Sequence, residues 1–177
     1  MRFIRLTAFA LIMGGVIGVQ AQQTNYSTSG WTSILETSLP ADLRNFLENA
    51  DEFTLYSLDV DPGFEYFSMK GIRDTNILGQ IKIPAGTQRN GLIKALADGI
   101  SEFEAEHMVM ADCFQPHHVI RARKGGVAMD FVICFEGRQI QAFSSKATNY
   151  WVFPVSGSPK TIFNQTLGQA GIPLGTD

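Results

Sequence analysis

Two consecutive glycines, Gly125 and Gly126, separate two runs of strand-forming residues, Val119 to Lys124 and Val127 to Phe135. No other feature constrains the fold as tightly. A glycine pair accepts the positive φ values of a two-residue hairpin turn. With the turn there, Arg121 faces Asp130 and Cys134 faces His117, because pairing is read outward from the turn. The Arg121–Asp130 pair is then a cross-strand contact of opposite charges, worth ~0.2–1 kcal/mol. Ile120, Ala122, Met129, Phe131, Ile133 and Phe135 fall together on the other face. That face is expected to be the core side, with His118 on it or at its edge.

The rest of the chain supplies what this hairpin packs against. Leu39 to Ala50 carries apolar residues at 39, 43, 46, 47 and 50, with Pro40 suited to a first helical turn. Phe53 to Val60 alternates and closes at Asp61-Pro-Gly63, which reads as a strand and a turn. Gly71 to Ile83 reads as a second strand with an irregular middle. From Thr87 as N-cap, Leu92, Ile93, Leu96, Ala97, Ile100 and Phe103 recur at three-and-four spacing and define the strongest helix. Gln139 to Phe143 reads as a further strand after a tight turn at Glu136-Gly-Arg138, and Pro159 to Ala170 as a helix stopped at Gly171. The expected architecture is α+β: a mostly antiparallel sheet of about five strands with helices packed on one face, a two-layer sandwich. A parallel pairing of the second and third strands through the central helix is compatible with this order.

The amino terminus reads as a secretory signal peptide over residues 1–21. Arg2 and Arg5 precede an apolar run from Leu6 to Val19, and Val19-Gln20-Ala21 offers a small-residue cleavage site before Gln22. The run is shorter than the ~20 residues of a membrane-spanning helix, so no stable span is expected after cleavage. Residues 22–38 are expected to form a flexible leader, because their first stretch is rich in Gln, Thr, Asn, Ser and Gly. Residues 39–177 are expected to form a single domain, and the protein to be periplasmic or secreted.

Loss of Arg2 and Arg5 leaves 12 basic against 17 acidic residues, a net charge of −5 with histidine neutral. Phosphate binding needs clustered Lys and Arg, and the basic cluster Arg121-Ala-Arg-Lys124 is the chain's only one. A nucleic-acid partner is therefore not expected.

Both cysteines and two of the three histidines lie between Cys113 and Cys134. Bridging needs Cα atoms within roughly 7 Å, and a bend at Pro116 can return Cys113 towards Cys134. Export supplies the oxidising compartment in which such a bond persists, where it would contribute ~2–4 kcal/mol. The expectation is a structural Cys113–Cys134 disulfide. Metal binding, a reactive thiol and inert free thiols remain open alternatives. A catalytic Cys beside His is chemically reasonable, because an imidazolium promotes the thiolate, and it makes Cys113, His118 and Cys134 the candidate catalytic residues. Against it, the sequence offers no oriented third group and no oxyanion loop, and Cys134 lies in an apolar strand.

Cys113-Phe-Gln-Pro-His-His118 and Ile133-Cys-Phe-Glu-Gly137 resemble a signature of small exported bacterial proteins of unknown function, in which CF-x-P-R-H is followed after a Gly-rich hairpin by ICFEC. Leu55-Tyr-Ser-Leu-Asp59 and Ala170-Gly-Ile-Pro-Leu174 support the resemblance. It implies no activity. This chain departs from the pattern at His117, in place of Arg, and at Gly137, in place of a third Cys. The pattern's cysteines and histidine invite a closed zinc site. Here Cys113, His118 and Cys134 would need His117 or Glu136 as a fourth ligand, so no metal centre and no cofactor are expected, zinc being the minor alternative.

Asp59-Val-Asp-Pro-Gly63 lacks the further ligands of a calcium loop, and Glu102, Glu104 and Glu106 read as a solvated edge. Tyr150-Trp-Val-Phe153 reads as buried strand or loop packing rather than a ligand groove. Walker and G-x-S-x-G patterns are absent. The functional expectation is a non-enzymatic envelope or secreted domain that binds a protein or small-molecule ligand, with His117, Arg121 and Glu136 as candidate binding residues. The alternative is a thiol- or metal-dependent envelope enzyme centred on Cys113, His118 and Cys134.

Overall fold

In the computed structural model, residues 27–28, 31–60 and 77–176 are described. The signal peptide, the Asp61-Pro-Gly63 turn and the first part of the second expected strand lie outside these residues.

Gly125 and Gly126 form the hairpin turn with φ of +54° and +76°. The flanking strands are β5 (His118–Lys124) and β6 (Val127–Cys134). Arg121 pairs with Asp130 and Ile120 with Phe131, the register that the glycine pair implies. Pairing starts at His118–Ile133, one residue short of His117 and Cys134.

The remaining strands are β1 (Ser27–Thr28), β2 (Trp31–Leu35), β3 (Glu52–Leu58), β4 (Ile77–Lys82), β7 (Gln139–Ser144) and β8 (Asn149–Pro154). They join the hairpin in one eight-stranded sheet of order β1-β2-β8-β7-β6-β5-β3-β4. The expectation of about five antiparallel strands is thus corrected. The sheet is larger and mixed, because β2 pairs parallel to β8. One reading hid two of these strands. Polar composition marked residues 22–38 as leader, yet β1 and β2 lie within it. The aromatic run at 150–153 is the body of β8, where Tyr150 and Trp151 pair with Phe143 and Ala142 of β7. The second and third expected strands are not neighbours, since β3 lies between β4 and β5.

Helices α1 (Ala41–Glu48), α2 (Thr87–Ala105) and α3 (Lys160–Gln169) share one core with one face of this sheet. The apolar spacing in each explains the packing. Leu43 and Leu47 of α1, Leu92, Ile93, Leu96 and Ile100 of α2, and Phe163 and Leu167 of α3 meet Phe53, Leu55, Ile120, Phe131, Ile133 and Phe153 of the strands. Phe53, Phe131, Phe153 and Phe163 are fully buried, each contributing ~1.5–3 kcal/mol by area. Pro40 precedes α1, and Gly86 rather than Thr87 caps α2.

The opposite face follows from the alternation of side chains along a strand. Tyr56, Leu58, Val60, Val119 and Val132 form a second, smaller apolar cluster, with Phe114 and Phe143 packed against it. Across β5 to β8 this face also carries Arg121, Asp130, Gln139, Gln141 and Tyr150, all half-buried. Among the described residues no helix is long and apolar enough to cross a membrane.

Candidate functional site

The segment that approaches β5, residues 113–117, crosses the turn that leaves β6, residues 135–138. Here the two cysteines part. Cys134 is buried and Cys113 exposed, and both are free thiols with no close Sγ pair. The expected disulfide is therefore absent. The physical reason is their placement: the Cys134 sulfur is buried and accepts from backbone amides, Gln115 N–H at 3.3 Å and Gly137 N–H at 3.1 Å, while the Cys113 side chain lies exposed. The chain leading into Pro116 brings Gln115, two residues beyond Cys113, to the place where a second sulfur was expected. Burial pushes the Cys134 thiol upwards in pKa against the downward pull of these two amides. It stays protonated at neutral pH and is a poor nucleophile.

Gly137 carries the closest backbone approach in this region. A Cβ built on it falls 2.2 Å from the Cys113 carbonyl oxygen and 2.9 Å from Cys134 Sγ. The Ala111 amide also donates to the Gly137 carbonyl at 3.2 Å. The Cys113 backbone thus fills the space that a third cysteine would need.

His118 is only 3% exposed and projects into the helix-bearing core, in edge contact with Phe135 and Phe163. Its Nε2–H donates to Asn164 Oδ1 of α3 at 2.7 Å. An amide oxygen only accepts, so the neutral ring carries its proton on Nε2 and leaves Nδ1 as an acceptor. Burial lowers the His118 pKa from 6.5 to about 4. Cys134, two residues along β6 from Val132, projects to the opposite side from Ile133, the core-facing partner of His118. The sheet separates the two groups, and no Cys–His dyad forms between them.

The other candidates are also dispersed. His117 is buried with Nδ1 3.4 Å from the Leu58 carbonyl oxygen. Arg121 makes a two-pronged bond to Asp130, Nε to Oδ1 at 2.6 Å and Nη2 to Oδ2 at 2.9 Å, and this raises its pKa. Glu136 lies in the turn after β6 and is ion-paired with Lys160 of α3. No group of three or more His, Cys, Asp or Glu among the described residues is placed to hold a metal ion.

Three further polar clusters escape sequence reasoning. Ser57 lies directly across from His118 on β3, and its hydroxyl is buried with no partner, as is His118 Nδ1. Arg89 is buried at the head of the α2 stripe, where it donates to the carbonyls of Ala50 at 2.8 Å and Ile83 at 2.9 Å and lies over the Phe53 ring. Its position three residues before Leu92 was the available signal. Glu102, read as a solvated edge, accepts from Ser156 Oγ at 2.7 Å and Ser158 Oγ at 2.5 Å. Those hydroxyls pull its pKa down and tie the end of β8 to α2.

No family model matches the chain, and neither a curated protein nor a solved structure matches it significantly.

Proposed function

We propose that this is an exported, non-enzymatic binding or accessory domain of the bacterial envelope, of the kind its CF-x-P-(R/H)-H and ICFE motifs resemble. It acts in the periplasm or outside the cell on a protein or small-molecule partner. One observation carries the reading: all three helices cover one face of the sheet, while the other face presents half-buried Gln139, Gln141, Phe143 and Tyr150 beside the Arg121–Asp130 pair. Its charges are balanced internally, since Arg123 also faces Glu52 at 3.8 Å, and Phe143 stacks on Tyr150 with centroids 5.2 Å apart. A prearranged, rigid surface of this kind loses little entropy on binding.

The enzymatic alternative draws no support from the arrangement, because the sheet separates His118 from Cys134 and the Cys134 thiol is buried with its pKa raised. Site-specific photo-crosslinking tests the proposal. A crosslinker at Tyr150 should give an adduct with envelope extract that Gln141→Arg abolishes, while one at Lys94 on α2 should not. Equal adducts from both positions, or none from Tyr150, would count against the binding reading.

A further inference from the structure

Residues 160–176 hold to the sheet at two histidines that are adjacent in sequence. Helix α3 is held at His118 through Asn164. Beyond it the chain turns at Gly171, with φ of +71°. Ile172 then packs on Gly79 of β4, where a Cβ would come within 2.8 Å of its Cγ2. Gly175 lies against the Leu58 carbonyl oxygen and His117 Nδ1, at 2.1 and 2.5 Å from its own added Cβ. The Thr176 hydroxyl donates to Asp59 Oδ1 at 3.5 Å. The segment is therefore a strap, bonded to one imidazole at its helix and lying against the next near its end.

The fastening at His118 is dry and polar at once. Its Nδ1 lacks a partner, and so does the Ser57 hydroxyl directly across the β3–β5 pair. These two atoms are complementary, an acceptor and a donor, in cross-strand neighbours whose Cβ atoms are ~4.5–5.5 Å apart. Ser57 on β3, His118 on β5 and Asn164 on α3 thus lie in order from sheet to helix, with the His118 ring bonded on its Nε2 side alone.

We propose that His118 forms an acid-sensitive latch on the C-terminal strap: the neutral His118 ring keeps α3 and the tail down, and its protonation releases them from the sheet. Protonation puts a second N–H, and a charge, among Phe135, Phe163 and Asn164. The charged or titratable groups that face the ring are His117 just before β5, Glu136 in the turn after β6 and Lys160 on α3. Glu136 and Lys160 pair with each other, so that carboxylate is already neutralised. Ser57 on β3 and Asn164 on α3 are uncharged.

A released ring regains its ordinary pKa of 6.5, whereas the seated one titrates at about 4. Between these values the open form binds more protons, so opening grows as pH falls, by about 20-fold from pH 7 to pH 5. In that window exposed carboxylates remain ionised and histidine is the side chain that titrates. The latch is independent of the binding reading and goes beyond it.

Hydrogen exchange of the whole protein at pH 7 and pH 5, corrected for intrinsic exchange rates, tests the latch. Amides of α3 and residues 172–176 should lose protection about 20-fold relative to α2. His118→Phe, whose ring suits the cage of Phe135 and Phe163, should abolish this pH response. Asn164→Asp, which steadies the imidazolium, should shrink it. Loss of protection in α2 and α3 together, or an unchanged response in His118→Phe, overturns the latch. Should His118→Phe fail to fold, the ring ¹⁵N titration of the wild-type protein decides: a pKa below 5 supports the latch and one near 6.5 contradicts it.

Discussion

The carbonyl oxygen of Cys113 stands 2.2 Å from the point where residue 137 would carry a Cβ. Only glycine fits there without a shift of one segment or the other. Gly137→Ala should therefore destabilise the fold by about 1–3 kcal/mol, the usual range for overpacking. Gly137→Cys, which restores the motif residue that this chain lacks, should cost at least as much. Urea midpoints of the two variants against wild type check this. A midpoint within error of wild type for Gly137→Ala would show that the 113–117 segment yields freely.

Arg121 and Asp130 are 21% and 15% exposed and joined by two bonds. Removing either partner leaves a half-buried charge unpaired. Arg121→Met and Asp130→Asn should each cost about 1–3 kcal/mol. Arg121 also approaches Tyr56, its Cζ lying 6.0 Å from the ring centroid. A double-mutant cycle separates the pair from that contact: a coupling below a few tenths of a kcal/mol would reduce the pair to a surface contact.

Arg89 satisfies two main-chain carbonyls from different loops while buried beneath α2. Arg89→Ala orphans both carbonyls and should cost about 2–4 kcal/mol. Arg89→Lys should restore little of it, because a single ammonium lacks the planar fork that reaches both oxygens. Thermal melting of the two variants tests this. Full recovery in Arg89→Lys would show that charge alone matters there.

The seated His118 has a pKa depressed from 6.5 to about 4. The unfolded chain thus binds the extra proton first as pH falls. Its stabilising effect is complete above pH 6.5 and is lost progressively down to pH 4, a change of about 3 kcal/mol at most. Urea unfolding from pH 7 to pH 4 should show this slope, and His118→Phe should flatten it. A wild-type midpoint constant from pH 7 to pH 5 would contradict the burial argument.

Local signals with a strict steric basis were legible. The glycine turn set the β5–β6 register to the residue, and the stripe in α2 placed its core face. What was illegible depended on distant partners. Trp31–Leu35 forms a strand because β8 lies parallel to it, and nothing nearby in sequence announces that pairing. The cysteines illustrate the same limit. Spacing and compartment favoured a bridge, but whether Gln115 N–H or Cys113 Sγ meets Cys134 depends on the path of residues 113–117. Asn164, 46 residues from His118, stood in the expected helix with nothing local to mark its partner. Its amide faces the core, and the Thr166 hydroxyl is bonded to Ile162 at 2.8 Å.

Thiol labelling without reductant tests most directly whether these sulfurs and histidines work apart rather than as one bridged or catalytic centre. In the native protein, mass spectrometry should show one fast alkylation, at Cys113, and a second, at Cys134, only after denaturation. A folded protein that takes up no label until a reductant is added, or one whose Cys134 reacts as fast as Cys113, would contradict the account.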